Sequence, residues 1–239
     1  LYTPANIRPF TPQPNDRPYA GYLYGSVGVT NGDLKQVDDF ELTLGWVGPG
    51  AVGEAVQRRY HELIGVQKPN GWAHQLHDEP TLGASWQRRW PRRMGIEVGQ
   101  GLISTMPYVG ATLGNVHTNA TAGTVLSWRS NASMLTDTPQ RVAPAIPGTG
   151  FFETADTLNT MAFVGAEGRA VARNIFLDGN TWRDSPSVRK RNAVADLSAG
   201  VMFTYNRYQV GYTTVYRTRE FYGQRDAQVF GALSFGYKF

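Results

Sequence analysis

From Arg17 to the C terminus the chain keeps returning to a period of two. Tyr19, Gly21, Leu23, Gly25, Val27 and Val29 alternate with Ala20, Tyr22, Tyr24, Ser26, Gly28 and Thr30. Phe40, Leu42, Leu44 and Trp46 oppose Asp39, Glu41, Thr43 and Gly45, one apolar face and one polar. Such alternation predicts strands, and the pattern recurs over 82–90, 94–116 (bent near Pro107), 118–129, 160–175, 193–205, 208–219 and 228–239. Asn31-Gly32-Asp33, Trp90-Pro91-Arg92-Arg93 and Asn206-Arg207 read as tight turns. The segment 130–159 is long and rich in Pro and Thr, with no clear period.

One stretch breaks the alternation. After the strand ending at Val47, Gly48-Pro49-Gly50 opens a short helix carrying Gln57 and His61. Residues four apart share a helix face. A turn at Lys68-Pro69-Asn70-Gly71 follows, then Trp72, Gln75 and Glu79. A helix bearing His and Gln, set between strands, is the first place to look for chemistry.

The chain has 239 residues and no cysteine, so neither a disulfide framework nor a thiolate metal site is available. A formal charge of +4 with no finger, helix-turn-helix or RNA-binding motif gives no case for nucleic acid. No apolar run reaches the roughly 20 residues of a membrane helix. A transmembrane strand needs only about 10 alternating residues, and the final strand fits that. Val229, Gly231, Leu233, Phe235, Tyr237 and Phe239 fall on one face, and the chain ends on Phe. This is the pattern of an outer-membrane barrel whose last strand is read by the barrel assembly machinery. The fold class expected is therefore all-β, an antiparallel transmembrane barrel with a helix at the external rim. With Phe239 on the periplasmic side, strand parity places the 206–207 and 90–93 turns there, and the helix and the 176–192 loop outside. It also sends 130–159 to the periplasm. Nine strands is odd for a single-chain bacterial barrel, which leads to the expectation of one barrel domain over 1–239 with further strands preceding Leu1.

Several stretches resemble the outer-membrane lipid A deacylase family. They are Asn15-Asp16-Arg17-Pro18-Tyr19-Ala20-Gly21, Leu44-Gly45-Trp46-Val47-Gly48-Pro49, the run from Gln57 through His61 to Gly65, and Gly71-Trp72 with Gln75 and Glu79. Arg173-Asn174, Phe176-Leu177-Asp178-Gly179-Asn180 and Arg217-Thr218-Arg219-Glu220-Phe221 extend the resemblance to the C-terminal part. It implies a twelve-stranded barrel in the bacterial outer membrane, calcium dependence, and hydrolysis of the ester that holds the 3′-linked acyloxyacyl group of lipid A. The family's catalytic His falls on His61 and its nearby Gln on Gln57. An Asn-Asp pair and a hydroxyl residue that the family places beside the metal have no counterpart here; Asn15-Asp16 is a different motif. The calcium ligands are accordingly expected mainly upstream of Leu1, and no residue of this chain is singled out as one.

An imidazole titrates near neutrality and suits a general base. No Gly-x-Ser-x-Gly elbow is present, which favours direct attack by water. Gln57 either orients water or substrate or holds structure by hydrogen bonding. Arg58, Arg173 and Trp72 are the expected contacts to lipopolysaccharide, the arginines through phosphate and Trp72 through an acyl chain, unless it packs the helix against the wall. Arg59, Arg169, Arg183, Arg189, Lys190 and Arg191 add positive charge near the same rim. His74 and His77 lack an evident third ligand for a metal. Glu79 is either an acceptor behind the site or, the favoured reading, a strand-start charge; Asp178 and Asn180 offer oxygens to calcium, but a plain Asp-Gly turn is the favoured reading.

Overall fold

The computed structural model describes residues 1–33, 35–91, 93–133 and 152–239. Its strands are β1 (Tyr22–Gly32), β2 (Val37–Val47), β3 (Glu79–Arg89), β4 (Met94–Val98), β5 (Gly101–Gly114), β6 (His117–Arg129), β7 (Ala155–Asn174), β8 (Ala193–Asn206), β9 (Tyr208–Arg217) and β10 (Gln228–Tyr237). Among the described residues two α-helices interrupt them, α1 (Gly53–Leu63) and the four-residue α2 (Ile175–Asp178). All strands lie in one curled antiparallel sheet, ordered β1-β2-β3-β5-β6-β7-β8-β9-β10, with β4 paired to β5. The nine positions along this path are the nine expected.

One turn is not where the sequence suggests. Trp90 to Arg93 is a bulge within a single strand path, not a reversal. Arg89 pairs with Tyr108 and Met94 with Thr105, so the four residues between them oppose only Met106 and Pro107. The Trp90 amide donates to the Pro107 carbonyl and the Arg93 amide to the Thr105 carbonyl, carrying β5 across the gap. A bulge of this kind bends and twists the strand. The reversal itself comes at Gly99, which has φ 61°, and Gln100. It stays at the same end of the sheet, so the parity argument survives.

The sheet is inside out relative to a soluble protein. On its outer face Leu42 is 61% exposed, Leu113 72% and Leu233 82%, and this face is apolar along its length. The inner face buries Asp39, Arg89, Glu167, Arg169, Asp196 and Arg217. Arg169 and Arg217 both bind Asp196, at 3.0 and 2.9 Å, and Arg217 also faces Glu220 at 3.7 Å. Tyr108 lies over Gly123, where any Cβ would meet its ring, and its hydroxyl donates to Glu167 at 2.8 Å. Charged groups in the middle and apolar groups outside are stable only where the outside is hydrocarbon.

The two ends of the sheet differ. The connections at 33–36, 99–100 and 206–207 are short. Those at 48–78, 115–116, 175–192 and 218–227 converge on the opposite rim, together with the N-terminal segment. The 176–192 stretch, expected to be a loop, begins with an apolar apex. Ile175, Phe176 and Leu177 are buried, and the first two pack with Ala20, Val47, Leu76 and Val116 as a cap over the polar interior. Most of the 130–159 segment lies outside the described residues.

Candidate active site at the loop-bearing rim

Glycine makes the turn that launches α1. Gly48 has φ 111°, and a Cβ there would stand 2.6 Å from the Asp78 nitrogen and the His77 carbonyl. The Asp78 carboxylate then accepts from the Gly50 amide and from the Trp46 indole, each at 2.7 Å. Gly53 opens the helix close against Gly21 and Trp72, where a side chain would not fit. The helix is thereby pressed to the rim along the face that carries Gly53, Gln57 and His61.

On that face Gln57 accepts a hydrogen bond from the Trp72 indole N–H at 2.9 Å. Trp72 is 1% exposed and packs against Tyr19, ring centroids 5.1 Å apart. Holding Oε1 of Gln57 in this way fixes which end of the amide is which, and leaves its NH₂ as a donor. One turn on, Nδ1 of His61 lies 2.5 Å from the carbonyl oxygen of Gln67. A carbonyl only accepts, so Nδ1 carries the proton, and Nε2 of the neutral ring keeps its lone pair. Gln67 is held in a loop that closes back on the helix: the Val66 amide donates to the His61 carbonyl at 3.0 Å, and Lys68 pairs with Glu62 at 2.6 Å. The bond to Lys68 holds the Glu62 carboxyl below its ordinary range. Burial raises the Tyr19 phenol, which keeps it a neutral ring behind Trp72.

The structure brings Gln57, His61 and Trp72 together and distributes the arginines elsewhere. Arg58 lies on the next face of α1, its Nε on Glu54 at 2.7 Å. Arg173 donates to the carbonyls of Asn115 and Gly179 and to the Thr181 hydroxyl, stapling two rim loops. Arg169, grouped by sequence with the loop cations, is 3% exposed inside the barrel. Glu79, read as a strand-start charge, is buried and accepts from Asn115, Asn180 and the Thr181 amide. Asn180 also binds the His77 backbone through both ends of its amide, which joins the α1 connection to the 175–192 connection. Asp178 takes the Asn174 amide and Lys190, as a structural turn would. The first and last family-like motifs meet as well: Arg17 pairs with Glu220 at 2.8 Å and its guanidinium stands 5.4 Å from the Phe221 ring. Their 203-residue separation hides that contact from sequence reading.

Calcium takes six to eight oxygens. Among the described residues no three His, Asp or Glu side chains are grouped to hold a metal. The two carboxylates of α1 are already engaged, Glu54 by Arg58 and Glu62 by Lys68.

The chain is similar to known proteins at two levels. A family model described as "Outer membrane protein LpxR" matches residues 1–239. Among solved structures, LpxR from Salmonella typhimurium superposes with a TM-score of 0.86 at 20% identity, over 100% of this chain and 80% of that one. No curated protein sequence matches the chain.

Proposed function

The chain belongs to the outer membrane protein LpxR family, and on that premise we propose that it is a lipid A 3′-O-deacylase in which His61 is the general base. The observation that carries the reading is the Nδ1 contact to Gln67. It selects the tautomer whose Nε2 can take a proton, on a helix at the rim where lipopolysaccharide is met. Nε2 removes a proton from water as the water oxygen attacks the ester carbonyl. The tetrahedral intermediate then expels the sugar oxygen, which recovers the proton from the imidazolium. The acyloxyacyl chain leaves as a carboxylic acid, which gives its remaining proton to solvent and becomes a carboxylate. The NH₂ of Gln57 orients the water or the carbonyl, and Trp72 acts behind it as a positioning residue. Arg58, partly exposed on the next face of α1, would meet a phosphate with the guanidinium N–H groups that Glu54 does not take. Calcium, which the family resemblance brings, would stabilise the developing oxyanion as a Lewis acid. The C-terminal strand ending in Phe239 is read, on the same premise, by the barrel assembly machinery.

Mass spectrometry of lipid A from cells carrying the protein in the outer membrane tests this. The expected result is loss of one acyloxyacyl mass, with His61→Ala reducing turnover by about 10²–10⁴-fold, the usual contribution of a positioned base. An H61A protein as active as the parent would overturn the assignment of His61. Intact lipid A beside fatty acid released from glycerophospholipid would replace the substrate.

A further inference from the structure

Helix α1 presents three faces. Gly53, Gln57 and His61 turn to the rim. Glu54, Arg58 and Glu62 make a polar side, closed by ion pairs within the helix and to Lys68. The remaining side is apolar and open: Val56, Tyr60 and Leu63 recur at spacings of four and three, the signature of one helical stripe, and Val52, the exposed left-handed residue that precedes the helix, lies at its start. Val56 is 53% exposed, Tyr60 58% and Leu63 83%.

This stripe continues the lipid-facing surface of the sheet. Trp46 stands on the outer face of β2, above Leu42 and Leu44, with its indole N–H on Asp78 and its ring against Gly50. A Trp with an apolar ring below and a polar anchor above marks the membrane–water boundary. Val52 follows two residues after Gly50, so the apolar surface passes from the sheet through Trp46 into the helix. Arg59, exposed at the edge of the stripe, supplies the positive charge that interfacial helices direct to anionic headgroups.

We infer that α1 lies in the outer leaflet itself, with Val52, Val56, Tyr60 and Leu63 among the acyl chains and Glu54, Arg58 and Glu62 toward water. The occupant of the apolar stripe is lipid. The inference rests on the outer-membrane placement and not on hydrolysis, although on the deacylase reading it would set His61 beside the acyl chains of its substrate.

The absence of cysteine makes the test direct. Nitroxide is attached to single cysteines in the full chain inserted into bilayers, at Val56→Cys and Leu63→Cys on the stripe and at Ala55→Cys and Glu62→Cys on the other side. Collision with oxygen, which concentrates in hydrocarbon, is compared with collision with a water-soluble nickel chelate. Positions 56 and 63 should favour oxygen by several-fold relative to 55 and 62. Equal nickel access at all four sites would overturn the inference, because the helix would then stand in water. Positions 56 and 63 closed to both reagents would also overturn it, because protein and not lipid would then cover the stripe. Neither readout requires turnover, so a failed deacylase assignment leaves it standing.

Discussion

The hydrogen bond from Trp72 to Gln57 separates positioning from contact at the scale of single residues. Trp72 is buried behind the glutamine, so Trp72→Phe keeps an aromatic ring in the packing against Tyr19 and removes the N–H together with the part of the indole that packs on Gly53. A neutral hydrogen bond contributes about 0.5–1.5 kcal/mol, and losing it frees the Gln57 amide to rotate. The expected outcome is a fall in kcat of roughly 2- to 10-fold with KM little changed, in a barrel that still shows the heat-dependent gel shift of the parent. A larger rise in KM than fall in kcat would place Trp72 against substrate after all. The residue types of this site were legible because His and Gln at i and i+4 break a β pattern. Their chemistry was not. The tautomer of His61 depends on the carbonyl of Gln67, and no residue type announces where its backbone oxygen will point.

The α1 connection is held by side-chain pairs that the helix propensity of 53–63 does not require. Glu62 and Lys68 tie the end of the helix to the loop that presents Gln67. The Glu62 carboxyl is held below its ordinary value by Lys68, so its contribution is fully present above the unfolded carboxylate range. It is lost as the pH falls through the lowered folded value. Backbone hydrogen exchange over 64–70, corrected for intrinsic rate, should therefore accelerate as the pH is taken below the ordinary glutamate range, and Glu62→Gln should show the faster exchange already at neutral pH. An exchange profile in which parent and E62Q coincide at every pH would assign the loop to other contacts. The same scale shows where sequence reading fails. Trp90-Pro91 has turn chemistry, and a turn is the ordinary inference from it. What decides between turn and bulge is the partner strand. Pro107, with no N–H to offer, lies opposite the insertion while its carbonyl still binds Trp90. That pairing is a long-range fact, as is the burial of Phe176 under Tyr2, with ring centroids 3.6 Å apart.

Taken whole, the molecule inverts the usual meaning of exposure, and two substitutions make the inversion measurable. Asp196 accepts from both Arg169 and Arg217 inside the sheet. Asp196→Ala would leave two buried guanidinium groups short of a counter-charge, a change that costs about 3–5 kcal/mol when a buried pair loses one partner. Denaturant unfolding of the barrel in bilayers should show that loss. The second substitution carries the argument to the outer face. Leu42, near the middle of β2, is 61% exposed, and in a soluble protein a charge there would cost almost nothing. With hydrocarbon against it, Leu42→Arg should cost about 2–4 kcal/mol, the depth-dependent price of an arginine near the bilayer midplane. Ala55→Arg, on the water-facing side of α1, should stay within about 0.5 kcal/mol of the parent. The alternation of Phe40, Leu42, Leu44 and Trp46 with Asp39, Glu41 and Thr43 was enough to predict two faces. It could not say which was outside, because period two is the same in a sandwich and a barrel. Equal cost for L42R and A55R would mean that the apolar face of β2 looks into water, and the reading of the sheet as a membrane wall would fail with it.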